Sequence, residues 1–265
     1  MEVSLANTLA LITGSAFTPS TEDATYTAVN AQTPQRPFLP WRTTALGAQN
    51  LVVDFGSARA ISLVILVNTN FTSATIQGNP TDVWGAPAFS QAVTIARNPQ
   101  MWRYQHGVMI SGFNYRFLRL LIPSQTPVDG AAYYSLGGLW AGTLATLPRP
   151  FRWEATFETF QPRQDVMAPG GSRKRLSLGE PIARATVRAY SKANENRPML
   201  NDQLADWLNI ERQLRASDFF ALVPEVSGQY DTAQVLVWRR VNQTQWPSSQ
   251  LGLVESTWEL EEMVG

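Results

Sequence analysis

Apolar residues in this chain come in short runs, and many alternate with polar ones at a period of two, so strands are expected over most of its length. Leu51-Val52-Val53-Asp54-Phe55 and Ala60-Ile61-Ser62-Leu63-Val64-Ile65-Leu66-Val67 are rich in β-branched residues. Gly56-Ser57-Ala58-Arg59 between them reads as a turn joining sequential strands. The second run is almost continuously apolar, as expected of a strand covered on both faces or lying at the centre of a sandwich. Ala92 to Ala96, Val108 to Ile110 and Tyr115 to Ile122 are further strand candidates, each bounded by Gly, Asn or Pro. No helical period of useful length occurs in this half.

Further along, Phe151 to Glu158 and Ala183 to Tyr190 alternate apolar with polar, the signature of half-buried strands. Pro162 to Gly179 keeps no apolar period, holds Gly170-Gly171 and Arg173-Lys174-Arg175, and reads as a long exposed loop. Asn201 is a candidate N-cap for a helix over 202–215, whose Leu204, Trp207, Leu208 and Leu214 fall on one stripe suited to packing on a sheet. Phe219 to Val223, Gln234 to Trp238 and Glu255 to Met263 complete the expected strands.

A length of 265 residues suits two domains. Charge density rises after residue 147: the stretch before it contains no lysine, and Leu147-Pro148-Arg149-Pro150 disfavours both helix and central strand. The expected domains are therefore 1–147 and 148–265. The fold class is mainly β, a β-sandwich followed by a smaller α+β domain with a sheet and one helix.

Composition removes several function classes. With 21 basic and 21 acidic residues there is no charge excess to hold a polyanion, so nucleic acid is not an expected partner. The absence of cysteine excludes disulfides, zinc-thiolate sites and thiol nucleophiles. No apolar run approaches the roughly 20 residues of a membrane span, so membrane insertion is not expected. Glu2 stands where a secretory signal would begin with basic residues, so the N-terminal stretch reads as structure.

Catalysis would need a nucleophile with its base, or two facing carboxylates. Neither pattern occurs, and the single histidine, His106, lies in Trp102-Arg103-Tyr104-Gln105-His106-Gly107 without a Ser or acid at a recognisable spacing. Asp82 and Asp129 sit in loops that lack the ligand-dense alternation of a calcium loop. No enzyme activity, metal or cofactor is expected.

What remains is aromatic residues in loops: Trp41, Trp84, Trp102, Tyr133 and Tyr134. Such rings either plug the ends of a sandwich core or present a flat apolar face to the C–H side of a pyranose, and Trp41 suits the first role best. The candidate carbohydrate-binding residues are Trp84, Trp102 and Tyr133, with Asn68, Asn70 and Arg103 as polar partners.

Pro40-Trp41-Arg42-Thr43, then Asn50-Leu51-Val52-Val53-Asp54-Phe55-Gly56, then Ile61 to Leu66, and later Phe117-Leu118-Arg119-Leu120-Leu121-Ile122 resemble the discoidin or galactose-binding-like family. Together they cover most of residues 30 to 145. The resemblance implies an eight-stranded jelly roll whose end loops bind glycans or other ligands.

The second half is similar to tail-tip proteins of long-tailed bacteriophages, including distal tail and minor tail proteins. That likeness lies in alternating strands around one helix, in Val235-Leu236-Val237-Trp238, and in the ending Trp258 to Val264. It implies a structural component of a virion tail tip or baseplate, made in the host cytoplasm. Such a protein would assemble as a ring or trimer with other tail proteins and display the jelly roll toward a host cell-surface glycan. Arg173, Lys174 and Arg175 are then candidates to meet Glu259, Glu261 and Glu262 of a neighbouring subunit. The alternative is a free surface carbohydrate-binding module or adhesin.

Overall fold

The structure is a computed structural model that describes residues 2–4, 8–11, 16–32, 39–96, 106–146, 151–160, 163–167, 173–177, 182–191, 220–223, 225–226, 229–230, 236–240 and 255–262. The chain is mainly β. Its first strands in chain order are β1 (Glu2–Ser4), β2 (Phe17–Pro19), β3 (Trp41–Arg42), β4 (Gln49–Thr69), β5 (Ser73–Asn79) and β6 (Phe89–Thr94). Then come β7 (His106–Ile122), β8 (Ser135–Gly142), β9 (Ala145–Thr146), β10 (Phe151–Phe160), β11 (Arg163–Met167) and β12 (Arg173–Ser177). The last are β13 (Ile182–Ser191), β14 (Phe220–Val223), β15 (Glu225–Val226), β16 (Gln229–Tyr230), β17 (Leu236–Arg240) and β18 (Glu255–Glu262). Single 3-10 turns lie at Thr8–Leu11 and Ala28–Gln32. Among the described residues no helix is long and apolar enough to cross a membrane.

Two compact units divide the chain. One comprises Met1–Leu147, Phe219–Val237 and Val264–Gly265, the other Pro148–Asp218 and Trp238–Met263. In the first unit the long strands β4 and β7 run antiparallel and serve both layers of a sandwich. The start of β4 pairs with β2 and with the end of β7, which continues to β5 and β6. The end of β4 pairs with β8 and with the start of β7, and β3 adds to β8. Leu51, Val53, Leu118, Leu120 and Ile76 from the first layer share one buried core with Val64, Leu66, Val108, Ile110 and Leu139 from the second. This is the jelly-roll sandwich implied by the family resemblance.

The expected turn at Gly56-Ser57-Ala58-Arg59 is a corner inside one 21-residue strand, not a link between two. Both halves of β4 pair with β7, and the ladder register shifts between Asp54 and Arg59 and again between Ile61 and Leu63. Gly56 at φ 76° and Gly112 at φ 79° turn the two strands there, in a backbone region that side chains with a Cβ avoid. Gly112 also explains why Val108 to Ile110 and Tyr115 to Ile122 belong to a single strand. A glycine inside a strand marks a bulge as readily as an end.

The outer face of the second layer is apolar too. Leu63, Ile65, Val67 and Trp140 are buried in a separate cluster with Ala221 of β14. The near-continuous apolar run is thus covered on both faces: by the sandwich core on one and by this cluster on the other. β14 pairs with β1, and β1 with β9, within the same unit.

In the second unit β10 and β13 pair along their full length, from Phe151 opposite Ser191 to Phe160 opposite Ile182. β18 pairs with β13, and Trp238–Arg240 of β17 with β18. The expected exposed loop over 162–179 is corrected: β11 and β12 form a two-stranded ladder with Arg175 opposite Asp165. Glu261 lies between Arg184 and Arg239 in the register, and Glu259 and Glu262 lie opposite Thr186 and Trp238. Arg175 and Glu261 therefore have opposite charges at adjoining ladder positions of their own chain. The expected helix over 202–215 falls outside the described residues.

Candidate ligand-binding surface

Loops converge at the end of the sandwich where β2, β3, β4, β7 and β8 start or finish. Trp41 is fully buried beneath them, and its Nε1 donates to the Thr21 carbonyl at 3.2 Å. Tyr134 is buried beside it, and its hydroxyl donates to the Leu46 carbonyl at 2.7 Å. Thr43 Oγ1 accepts from the Tyr134 amide at 2.9 Å, joining the β3 connection to that before β8. Gln125 Oε1 accepts from the amides of Thr72 and Ser73 at 2.9 and 3.1 Å. Four chain segments far apart in sequence are thereby locked together.

On this base the Arg42 guanidinium lies over two tyrosine rings, its Cζ 3.6 Å from the Tyr26 centroid and 4.9 Å from that of Tyr133. Main-chain bonds fix the stack: Arg42 N donates to the Tyr26 carbonyl, and Asp23 N to the Arg42 carbonyl, both at 2.9 Å. Among the described residues Arg42 Nε is buried without an acceptor and no carboxylate pairs with the guanidinium. The nearby acids are engaged elsewhere. Asp23 Oδ1 accepts from the Thr25 and Tyr26 amides, and Glu22 Oε2 from the Ala28 amide. A guanidinium held over aromatic rings keeps its in-plane donors directed and has little side-chain freedom left to lose.

Of the six residues expected to bind sugar, the structure brings Tyr133 and Asn70 together, but in different roles. Asn70 is buried: its Nδ2 donates to the Tyr133 carbonyl at 2.9 Å and to the Asp129 carboxylate at 3.2 Å. Its Oδ1 accepts from the Ser135 amide at 2.7 Å. Its amide group thus holds the loop, tying Tyr133, Asp129 and Ser135 together. Asn68, two residues earlier, takes a left-handed φ of 49°, which Asn tolerates better than most residues.

Trp84 belongs to a different surface, the β5–β6 loop. Its Nε1 donates to Asp82 Oδ1, and the Arg119 guanidinium lies 4.4 Å from its ring centroid while Arg119 Nε donates to Gln77 Oε1 at 2.6 Å. Trp102 and Arg103 lie outside the described residues. Sequence reasoning missed Arg42 and Tyr26. The available signal was an arginine next to a buried-type tryptophan in a loop without neighbouring acids.

His106 opens β7 opposite Leu66, half-buried, and among the described residues its Nδ1 has no partner. Burial lowers its pKa from the ordinary value. The folded chain thus favours the neutral ring, and its contribution to stability is complete above the unfolded pKa of about 6.5 and is lost as pH falls through the lower folded value. Melting temperature should drop between pH 7.5 and 5, and drop less in His106→Gln; parallel curves for the two proteins would remove His106 as the cause.

No family model and no curated protein matches the chain. It is similar to solved structures over about half its length. A lectin domain of lectinolysin complexed with Lewis B antigen is 12% identical, with 47% of this chain and 89% of that one covered, at a TM-score of 0.38. A Streptococcus pneumoniae fucose binding module is 11% identical, with 52% and 98% covered, at 0.40. Chitosan-binding module 1 from a Paenibacillus sp. IK-5 chitosanase/glucanase is 19% identical, with 52% and 99% covered, at 0.38. At these scores none of the likenesses bears on what this chain binds.

Proposed function

We propose that this chain is a non-enzymatic structural protein of a bacteriophage tail tip or baseplate. In this reading the part after residue 147 assembles with copies of itself and other tail proteins, while the jelly roll displays a glycan-binding loop end toward the host surface. The observation that carries the binding half is the Arg42 guanidinium over the Tyr26 and Tyr133 rings. Two half-buried rings offer apolar faces to a sugar, the Arg42 Nη groups can donate to a pair of hydroxyls, and the exposed Asp129 carboxylate can accept from another. The resemblance of the second half to tail-tip proteins supports the assembly half.

Calorimetry of the whole chain against a panel of neutral oligosaccharides, fucosylated ones among them, tests the first half. Arg42→Ala and Tyr133→Ala should each weaken binding at least tenfold, about 1.4 kcal/mol, while Trp84→Ala leaves it unchanged. Binding that survives Arg42→Ala would move the site elsewhere. Immunogold labelling of particles tests the second half: label at the tail tip is expected, and its absence would favour a free carbohydrate-binding module or adhesin.

A further inference from the structure

We propose that β10 is a homodimerisation edge, pairing antiparallel with β10 of a second copy about a two-fold axis centred on Ala155. The proposal rests on the assembly half of the reading above and gives it a specific contact.

Among the described residues β10 ends its sheet and pairs with β13 alone. Its ten residues exceed the usual strand length of about 5–6. Exposed edges are normally protected by proline, by charged side chains and lysine above all, by a bulge, by shortness or by a covering loop. Phe151-Arg152-Trp153-Glu154-Ala155-Thr156-Phe157-Glu158-Thr159-Phe160 has no proline and no lysine, and its register with β13 is unbroken. A long, regular edge of this kind is suited to taking another strand.

The sequence of β10 selects the partner. Strand alternation sets Phe151, Trp153, Ala155, Phe157 and Thr159 on one face and Arg152, Glu154, Thr156, Glu158 and Phe160 on the other. A two-fold contact must pair like face with like, so its centre falls on a residue and not between two. Centring on Glu154 sets that glutamate opposite itself, and centring on Thr156 sets Glu154 opposite Glu158 twice. Centring on Ala155 sets Arg152 opposite the second copy's Glu158 at both ends, Trp153 opposite Phe157, and no like charges opposite one another. Opposite charges and aromatic pairs at facing positions stabilise a ladder, and like charges destabilise it. Of the three central registers, one is self-complementary.

Sedimentation velocity on the whole chain tests the contact. Arg152→Glu alone and Glu158→Arg alone should each raise the dimer dissociation constant at least tenfold, and mixing the two variants should restore it, because each then meets its complement. Restoration also shows that both variants are folded. Since the chain has no cysteine, Ala155→Cys should form a disulfide-linked dimer under mild oxidation, whereas Thr159→Cys should not. A wild-type chain that stays monomeric at high concentration overturns both this contact and the assembly reading. An oligomer that survives both charge reversals, or a mixture that fails to re-form, or no cross-link at Ala155, overturns this contact and leaves assembly through another surface.

Discussion

Residues 1–147 expressed without the remainder of the chain are expected to be largely insoluble or to melt far below the full-length protein. The cause is the outer face of the second layer, where Leu63, Ile65 and Val67 alternate with the core residues Val64 and Leu66. None of the three is more than 6% exposed, and Trp140 beside them is 1% exposed, in a cluster with Ala221. Removing β14 returns these side chains to water. Full burial of a large apolar side chain is worth roughly 1.5–3 kcal/mol, so these four, three aliphatic and one aromatic, represent at most about 6–12 kcal/mol against a typical total stability of about 5–15 kcal/mol. The contiguous apolar patch left behind favours aggregation even where the sandwich survives. Soluble yield and a thermal melt of the two proteins give the answer. In the full chain, Ala221→Asp should act in the same direction by placing an unpaired charge at a fully buried position. A monodisperse 1–147 fragment melting within a few degrees of the full chain would show that this face needs no cover.

The same face shows which parts of the fold could be read from sequence. The continuous apolar character of Ala60 to Val67 signalled cover on both faces, because period-two alternation disappears when neither side meets water. It could not name the covering element: Phe220-Ala221-Leu222-Val223 is a short apolar run of a kind compatible with any sheet. Glycine was ambiguous for a physical reason. Gly56 and Gly112 have the φ of turn residues, yet both sit inside long strands, where the bend passes the chain from one layer to the other. In the 162–179 stretch the basic run and paired glycines hid a ladder that carries little apolar alternation to reveal it.

The candidate surface was legible in part. Trp41 as a structural plug and Tyr133 as a loop aromatic both follow from residue type and flanking sequence, and the structure buries the first and leaves the second half-exposed. The Tyr26–Arg42–Tyr133 stack depends on three segments brought together by the sandwich, a relation that no local spacing encodes. Asn70 and Trp84 resemble ligand-binding residues in composition and context. What separates Asn70 from such residues is hydrogen bonding to distant partners, Ser135 and Asp129, while Trp84 lies on another loop with the Arg119 guanidinium 4.4 Å from its ring centroid.

Asn70→Ala is therefore expected to lower stability first and binding second. The substitution strands the Ser135 amide and the Tyr133 carbonyl, both of which Asn70 satisfies from a site that is 4% exposed. A buried group left without its partner costs about 1–3 kcal/mol, so the loss should total roughly 2–6 kcal/mol. Asn70→Asp keeps an acceptor for the Ser135 amide but removes the donor and sets a carboxylate beside Asp129, so it should be no less damaging. With the loop unpinned Tyr133 leaves Arg42, and any ligand affinity falls as a consequence of lost order. Thermal melts and amide exchange at Ser135 separate this role from direct ligand contact. A residue that only touched sugar would lower affinity while the melting temperature and the Ser135 protection stayed at wild-type values, and that result for Asn70→Ala would return Asn70 to the binding site.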